Sequence, residues 1–179
     1  MMQLDKQSLR VLMKKKRLDI GEKTFFLHSQ SILQKVLHHP RYLNSQIIGI
    51  YVSINHEVDT FSLIEEALKT HTVCVPKVQG ENMEFYVIHS LDDLKAGAFH
   101  ILEPMTKEKI SPSQIDLMIV PMLGFDMTLH RVGYGKGYYD RYFSRGFKGY
   151  KLGLAFSFQQ VDFITSDSYD IALDEVLTE

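Results

Sequence analysis

The sequence predicts an α/β fold of three layers, with a mostly parallel central sheet flanked by helices. Three observations predict it. Short apolar runs rich in β-branched residues recur: IIGIYV from Ile47, TVCVP from Thr72 and IDLMIVP from Ile115. Stretches with helical apolar spacing lie between them. The composition, 45% hydrophobic and 23% charged, is that of an ordinary globular chain. A continuous apolar run suits a strand buried on both faces, and strands alternating with helices build a layered parallel sheet. With 179 residues, one domain over residues 1–179 is expected. A chain of this size buries about 70% of the surface its unfolded form exposes.

Taken in order, residues Leu4 to Arg17 read as a helix, with Leu9, Leu12 and Met13 at i, i+3, i+4 spacing. Lys6, Arg10 and Lys14 stand four apart and form a cationic stripe on another face. Asp19 with Glu22 is a capping-box variant opening a second helix, whose inner face runs from Phe25 to Leu37 and which Pro40 stops. IIGIYV then reads as a strand, followed by the polar loop SINHE. Asp59 or Thr60 can cap a helix carrying Leu63, Ile64, Ala67 and Leu68. TVCVP completes a βαβ unit, whose strands are expected to be parallel with a right-handed crossover. MEFYVI from Met83 is a further strand after a turn at Gly80, and Ser111-Pro112-Ser113 is a turn. IDLMIVP is the strongest strand signal in the chain. A helix is expected near Gly137, a strand over YKLGLAF from Tyr150, and a short final strand in DEVLTE.

Composition excludes several classes. The apolar runs fall well short of the ~18 residues of a membrane span. The opening segment lacks an apolar stretch of signal-peptide length, so a cytoplasmic location is expected. The single Cys74 excludes an internal disulfide and suits a reducing compartment. Charge is uneven: the first 17 residues hold four Lys, two Arg and one Asp, a balance of +5, in a chain whose net charge is −2. A basic segment on an acidic body suits contact with an anion, or is simply a solvated helix face.

Ligands of open α/β sheets bind beyond the carboxyl ends of the strands. Two loops qualify: SINHE, and the segment PMLGFDMTLHRVGYGKGYYDRYF from Pro121 to Phe143. In the second, Gly133, Gly135 and Gly137 alternate, flanked by Arg131, Lys136 and Arg141. Such a backbone can curl so that several N–H groups point into one concavity suited to phosphate oxygens, and the following helix adds its positive end. No Gly-Lys-Ser/Thr ends the loop, so it is not a Walker A loop. Its glycine spacing and its distance from the strand also separate it from a dinucleotide fingerprint.

Four ordered segments resemble one family, the 5-formyltetrahydrofolate cyclo-ligases. IVPMLGFD followed by RVGYGKGYYDR is similar to that family's Val-Pro-x-x-x-Phe-Asp and Gly-Tyr-Tyr-Asp signature. KQSLR at Lys6 to Arg10 resembles its Lys-x-x-Leu-Arg. YVSINHEVDT at Tyr51 to Thr60 resembles its Tyr-x-Ser-x-x-x-Glu-x-x-Thr, and YDIALDEVLTE resembles its C-terminal motif. The chain departs from the family pattern at Leu129 and His100, where glycine is usual, at Val132, where leucine is usual, and at Tyr169, where histidine is usual.

The resemblance implies ATP-dependent ring closure of 5-formyltetrahydrofolate to 5,10-methenyltetrahydrofolate, with release of ADP and phosphate. It implies ATP contacts from Lys6, Gln7, Ser8, Leu9 and Arg10. It implies a nucleotide loop of Arg131, Val132, Gly133, Tyr134, Gly135, Lys136, Gly137, Tyr138 and Tyr139. Lys136 and Arg131 are the catalytic candidates, Asp140 and Asp170 the Mg2+ ligands, and Val52, Glu57 and Tyr138 the folate contacts. No nucleic-acid or membrane partner is expected, and the chain is expected to be a monomer or weak homodimer. Two rivals remain at this stage. A phosphosugar isomerase or CoA-transferase-like protein keeps the fold but gives no reason for paired Asp140 and Asp170. A nucleic-acid-binding module would use the basic helix, against an acidic remainder.

Overall fold

The structure, a computed structural model, describes residues 5–97 and 101–179. The elements in chain order are α1 (Lys6–Leu18), α2 (Glu22–Leu37), α3 (Pro40–Leu43), β1 (Ile47–Ile50), α4 (Phe61–Leu68), β2 (Thr72–Gln79), β3 (Asn82–Ile88), β4 (Leu94–Ala96), β5 (Leu102–Pro104), β6 (Lys109–Ile110), β7 (Leu117–Val120), β8 (Gly124–Phe125), β9 (Arg131–Val132), α5 (Tyr138–Ser144), β10 (Tyr150–Leu154) and β11 (Glu175–Leu177). Seven strands form one sheet in the order β11-β10-β7-β1-β2-β3-β6. The pairings from β11 through β2 are parallel; β3 and β6 add antiparallel strands at one edge. The small hairpins β4-β5 and β8-β9 lie outside this sheet. This is the three-layer, mostly parallel fold the sequence predicts.

Alternation along the strands makes the layers. On one face Ile48, Ile50, Val73, Val75, Leu117 and Ile119 meet Ile32 and Val36 of α2 and Leu63 and Ile64 of α4. On the other, Cys74, Met118 and Val120 meet Phe85, with Tyr142 and Phe143 of α5. Fully burying such a side chain contributes roughly 1.5–3 kcal/mol, so a sheet covered on both sides is the main source of stability. Cys74 is fully buried, and burial pushes its thiol far up from its ordinary value.

The N-terminal elements differ from expectation in three ways. The described part of α1 starts at Lys6, with Asp5 as N-cap accepting from the Ser8 N–H at 2.8 Å. Its buried face is Leu9, Met13 and Arg17, while Leu12 is exposed. Asp19 ends α1 instead of opening α2; Gly21, at φ +76, is the α2 N-cap. Gly21 enters α2 at a positive φ that costs glycine little, and no side-chain cap is made there. Thr60 precedes α4 as its N-cap but spends its hydroxyl on the Tyr51 carbonyl, at 2.6 Å. The five short strands β4, β5, β6, β8 and β9 carry too few residues to show a period. His100 lies outside the described residues. No described helix is long and apolar enough to cross a membrane.

Close backbone approach gives one test of this packing. A Cβ on Gly149, just before β10, would lie 2.3 Å from the Ile115 carbonyl oxygen and 2.7 Å from that of Asp116. Backbone atoms cannot yield as a side-chain tip can. Gly149→Ala is expected to cost about 2 kcal/mol, which lowers the melting temperature by roughly 4–8 °C for a chain of this size. Thermal unfolding of the variant checks it, and an unchanged midpoint contradicts the packing described.

Candidate active site

The parallel strands β1 and β7 are neighbours, yet their chains leave in opposite directions. From β1 the chain crosses through α4 to β2 on one face; from β7 it crosses through α5 to β10 on the other. Such a divergence opens a crevice at the carboxyl ends of the two strands. Here it is a cavity of about 630 Å³. Both loops expected to matter line it.

The loop after β1 supplies Tyr51, Val52, Ile54, Asn55 and Glu57. Residues Ile54 to Glu57 form a tight turn, closed by a 2.9 Å bond from the Glu57 N–H to the Ile54 carbonyl. Its central residues, Asn55 and His56, have φ of 48° and 56°, the type I′ pattern. The turn folds the Glu57 side chain back, so that its Oε2 accepts from the Ile54 N–H at 2.9 Å. Glu57 is 5% exposed. Burial pushes its carboxyl up from the ordinary range, against the opposing pull of the Ile54 N–H, the Arg17 charge and the Tyr134 hydroxyl.

The segment after β7 supplies Pro121 and Arg131 to Asp140. Arg10 holds this loop against α1: its Nε donates to the Gly133 carbonyl at 2.9 Å. Gly135 has φ +96, and a Cβ there would meet the Arg10 guanidinium at 3.2 Å. Tyr134 donates its hydroxyl to Glu57 Oε1 at 3.1 Å and accepts from Arg17 Nη2 at 2.5 Å. Burial, then the Glu57 charge, pushes that hydroxyl up to about 12, so it remains a donor at neutral pH. Lys136 is exposed at the loop tip and lines the cavity.

Charges of both signs meet at the far end. Lys6 Nζ lies 2.5 Å from Asp170 and 2.7 Å from Asp167. Partial burial pulls the Lys6 ammonium down, but hydrogen bonds and charge from the two aspartates outweigh it, and the net shift is upward. Asp140 Oδ1 accepts from Arg131 Nη2 at 3.2 Å and from the Ile171 N–H at 3.1 Å. Because Ile171 follows Asp170, the Asp140 and Asp170 side chains border the same strip of wall. Each keeps a second carboxylate oxygen that makes no hydrogen bond among the described residues. Magnesium commonly takes one or two carboxylates plus phosphate oxygens, and this pair fits that pattern; no cluster of three or more His, Cys, Asp or Glu that could hold a metal occurs among the described residues. The buried Arg131 Nε has no hydrogen-bond partner among the described residues, which leaves a donor available to an anion.

Of the expected site residues, Lys6, Arg10, Val52, Glu57, Arg131 to Asp140 and Asp170 line the cavity. Gln7, Ser8 and Leu9, which stand between the two cations on α1, are not among its lining residues. Ser8 bonds back to Asp5, and Leu9 is buried against Val132 and Ile164. The helical period explains the split, since only residues three or four apart share a face. The cavity also gathers Asp167 and an apolar wall of Pro76, Val78 and Met83, which no motif marks, and Tyr169, which opens the C-terminal motif. Asp126, part of the Phe-Asp signature, is absent from the lining. It is buried and accepts bonds from the N–H groups of Thr128, His130 and Ile164 and from the Thr128 hydroxyl, which is a structural task. Leu129, where the family usually has glycine, adopts φ +65.

A cleft at a strand-divergence point, lined by a buried carboxylate, by cations and by paired carboxylates, is the candidate site of an α/β enzyme. Residues 2–179 match the sequence profile of the 5-formyltetrahydrofolate cyclo-ligase family. A 5-formyltetrahydrofolate cyclo-ligase of Mus musculus is 32% identical, over 97% of this chain and 93% of that protein. One of Mycoplasma genitalium is 32% identical, over 97% and 98%. The solution structure of Aquifex aeolicus 5,10-methenyltetrahydrofolate synthetase superposes with a TM-score of 0.87 at 36% identity, covering 96% of this chain and 88% of that one. A 5,10-methenyltetrahydrofolate synthetase from Mycoplasma pneumoniae superposes at 0.81 with 29% identity, over 98% and 99%. The chain belongs to the 5-formyltetrahydrofolate cyclo-ligase family and is a ligase of folate one-carbon metabolism.

The turn that aims Glu57 is testable on its own. A β-branched residue in the left-handed region costs about 1–2 kcal/mol, and glycine escapes that cost. Asn55→Val is therefore expected to lower the urea midpoint, whereas Asn55→Gly leaves it near wild type. Equal midpoints for the two variants contradict the turn geometry.

Proposed function

We propose that this enzyme uses ATP and magnesium to close 5-formyltetrahydrofolate into 5,10-methenyltetrahydrofolate, releasing ADP and phosphate. The observation that carries this is the juxtaposition, in one cavity of about 630 Å³, of buried Glu57 with Lys6, Arg10, Arg131 and Lys136 and with the Asp140–Asp170 wall. In this reading the whole chain, residues 1–179, is one catalytic domain that works in the cytoplasm on a small-molecule substrate, as a monomer or weak homodimer.

The chemistry asks for positioning more than for a protein nucleophile. A formamide carbon is a poor electrophile. Transfer of the terminal phosphoryl group of ATP to the formyl oxygen creates a leaving group. The neighbouring amine nitrogen then attacks the carbon and loses its proton, and phosphate departs as the ring closes. Such a transfer depends on alignment and charge stabilisation. Glu57 accepts hydrogen bonds from the amino and ring N–H groups of the pterin, between Val52 and the ring of Tyr138. Lys6 and Arg10 face the nucleotide with the loop from Arg131 to Tyr139. Asp140 and Asp170 would hold magnesium, which would supply positive charge to the phosphates. Arg131 brings its unpartnered Nε and aligns Asp140 through its Nη2. Lys136 carries a compact ammonium to the transferring group. The location of Lys6 and Arg10 inside the cavity supports a small anionic ligand over nucleic acid.

Mixing the protein with 5-formyltetrahydrofolate and MgATP tests the reading directly: near-ultraviolet absorbance of the methenyl product is expected, and its absence overturns the assignment. Lys136→Ala is expected to lower kcat about a hundredfold, the scale of losing one contact made mainly in the transition state, with a smaller change in the KM for ATP. A variant that keeps its kcat reassigns the catalytic cation to Arg131. Asp140→Asn is expected to raise the magnesium concentration needed for half-maximal rate while folate binding alone changes little; an unchanged magnesium dependence removes Asp140 from the metal site.

A further inference from the structure

Arg17 is the unexplained charge of this molecule. It is 1% exposed, on the same face of α1 as Leu9 and Met13. Packing alone would be served by another leucine or methionine, because burying a guanidinium is costly unless it is paired. Its one hydrogen bond among the described residues is from Nη2 to the Tyr134 hydroxyl; Nε and Nη1 have none. Nη1 stands 3.9 Å from Glu57 Oε1. So the cation does not fork directly onto the carboxylate. A phenol is inserted between them, taking one hydrogen bond from Arg17 and giving one to Glu57.

That insertion has a chemical consequence. A direct two-pronged pair would occupy both carboxylate oxygens. With Tyr134 between, Oε1 accepts one hydrogen bond and Oε2 accepts one from the Ile54 N–H. Each oxygen keeps a lone pair for a ligand in the cavity that Glu57 lines. A protonated Glu57 would instead carry a donor where the ligand presents donors. The groups around it are Tyr134 from the glycine-rich loop, Arg17 from α1, Tyr51 from the end of β1 and Tyr139 from α5. Arg17 is the only cation among them. Lys14 lies on the outer side, 5.5 Å from the Tyr134 ring centre.

We propose that Arg17 is a positioning residue for folate recognition: working through the Tyr134 hydroxyl, it keeps the Glu57 carboxylate ionised and its two oxygens open to the substrate. The inference rests on the folate reading above. It predicts that the charge of a residue outside the cavity lining sets the pH range over which folate is bound. Without that charge, burial drives Glu57 toward its neutral form, and folate affinity is lost first at the acidic end.

The test is the KM for 5-formyltetrahydrofolate between pH 6 and 9 at saturating MgATP, beside the KM for ATP. Arg17→Met is expected to raise the folate KM about tenfold or more at pH 6, the scale of one pKa unit, with the loss shrinking toward pH 9. The KM for ATP is expected to change less than about twofold on that scale. Arg17→Lys returns the charge and is expected to restore most of the profile. A loss in Arg17→Met that is the same at every pH, or no loss, overturns the proposal, since a purely structural residue would act so. Should Arg17→Met fail to fold by circular dichroism, Tyr134→Phe decides. It removes the bridging hydroxyl from a half-exposed ring, and a larger folate KM increase at pH 6 than at pH 9 is expected; a uniform change overturns the relay. A wild-type enzyme that does not use 5-formyltetrahydrofolate overturns the folate reading and this inference together. Normal wild-type turnover with parallel profiles overturns the inference alone.

Discussion

Two parallel strands in the middle of the sheet, β1 and β7, hand their chains to opposite faces, and the cavity opens in the gap left at their carboxyl ends. Neither crossover can fill that gap, because a right-handed connection carries each helix back over its own face. The apolar packing on both faces fixes the strands, and the strands fix the two loops. The site is thus positioned by the most stable part of the molecule, although it is built from its least regular segments.

Polar bonds then set the loop shapes. Asp126 gathers four donors around itself and ties the β8-β9 hairpin to the segment at Ile164. The type I′ turn turns Glu57 inward, and Arg10 clamps the glycine-rich loop onto α1. Two non-glycine residues in the left-handed region, Asn55 and His56, store strain in a loop that lines the cavity. Strain of this kind persists only where the surroundings over-determine it, and here buried hydrogen bonds do so.

Strand period, breakers and four motif segments made the layers and most of the cavity legible from the sequence. IDLMIVP and TVCVP alternate between the two cores as a doubly buried strand must, and their order implied a crevice. What stayed hidden depends on contacts far apart in sequence. Arg17 reads as one more charge in a basic stretch, and only the fold shows that it occupies the third step of an apolar face. Asp167 and Tyr169 join the cavity because the last loop returns to α1. Asp126 belongs to the same signature as the cavity residues, yet its environment makes it structural. Gln7, Ser8 and Leu9 belong to one contiguous motif with Lys6 and Arg10, yet only those two, one turn apart, line the cavity.

The ion pairs of Lys6 with Asp167 and Asp170 join residues more than 160 positions apart. Helix α1 meets the glycine-rich loop at Gly133 and Tyr134 and the last loop at Asp167 and Asp170, so its wall of the cavity forms only when segments far apart in sequence come together. β11, the edge strand beside β10, forms from the last few residues. The β1-β2 unit can therefore pack early while the cavity wall around Lys6 remains unassembled. Closing these two ion pairs is what completes that wall. The long-range closure also raises contact order and slows the last folding step, leaving an exposed, basic N-terminal helix as the segment in need of protection while it waits.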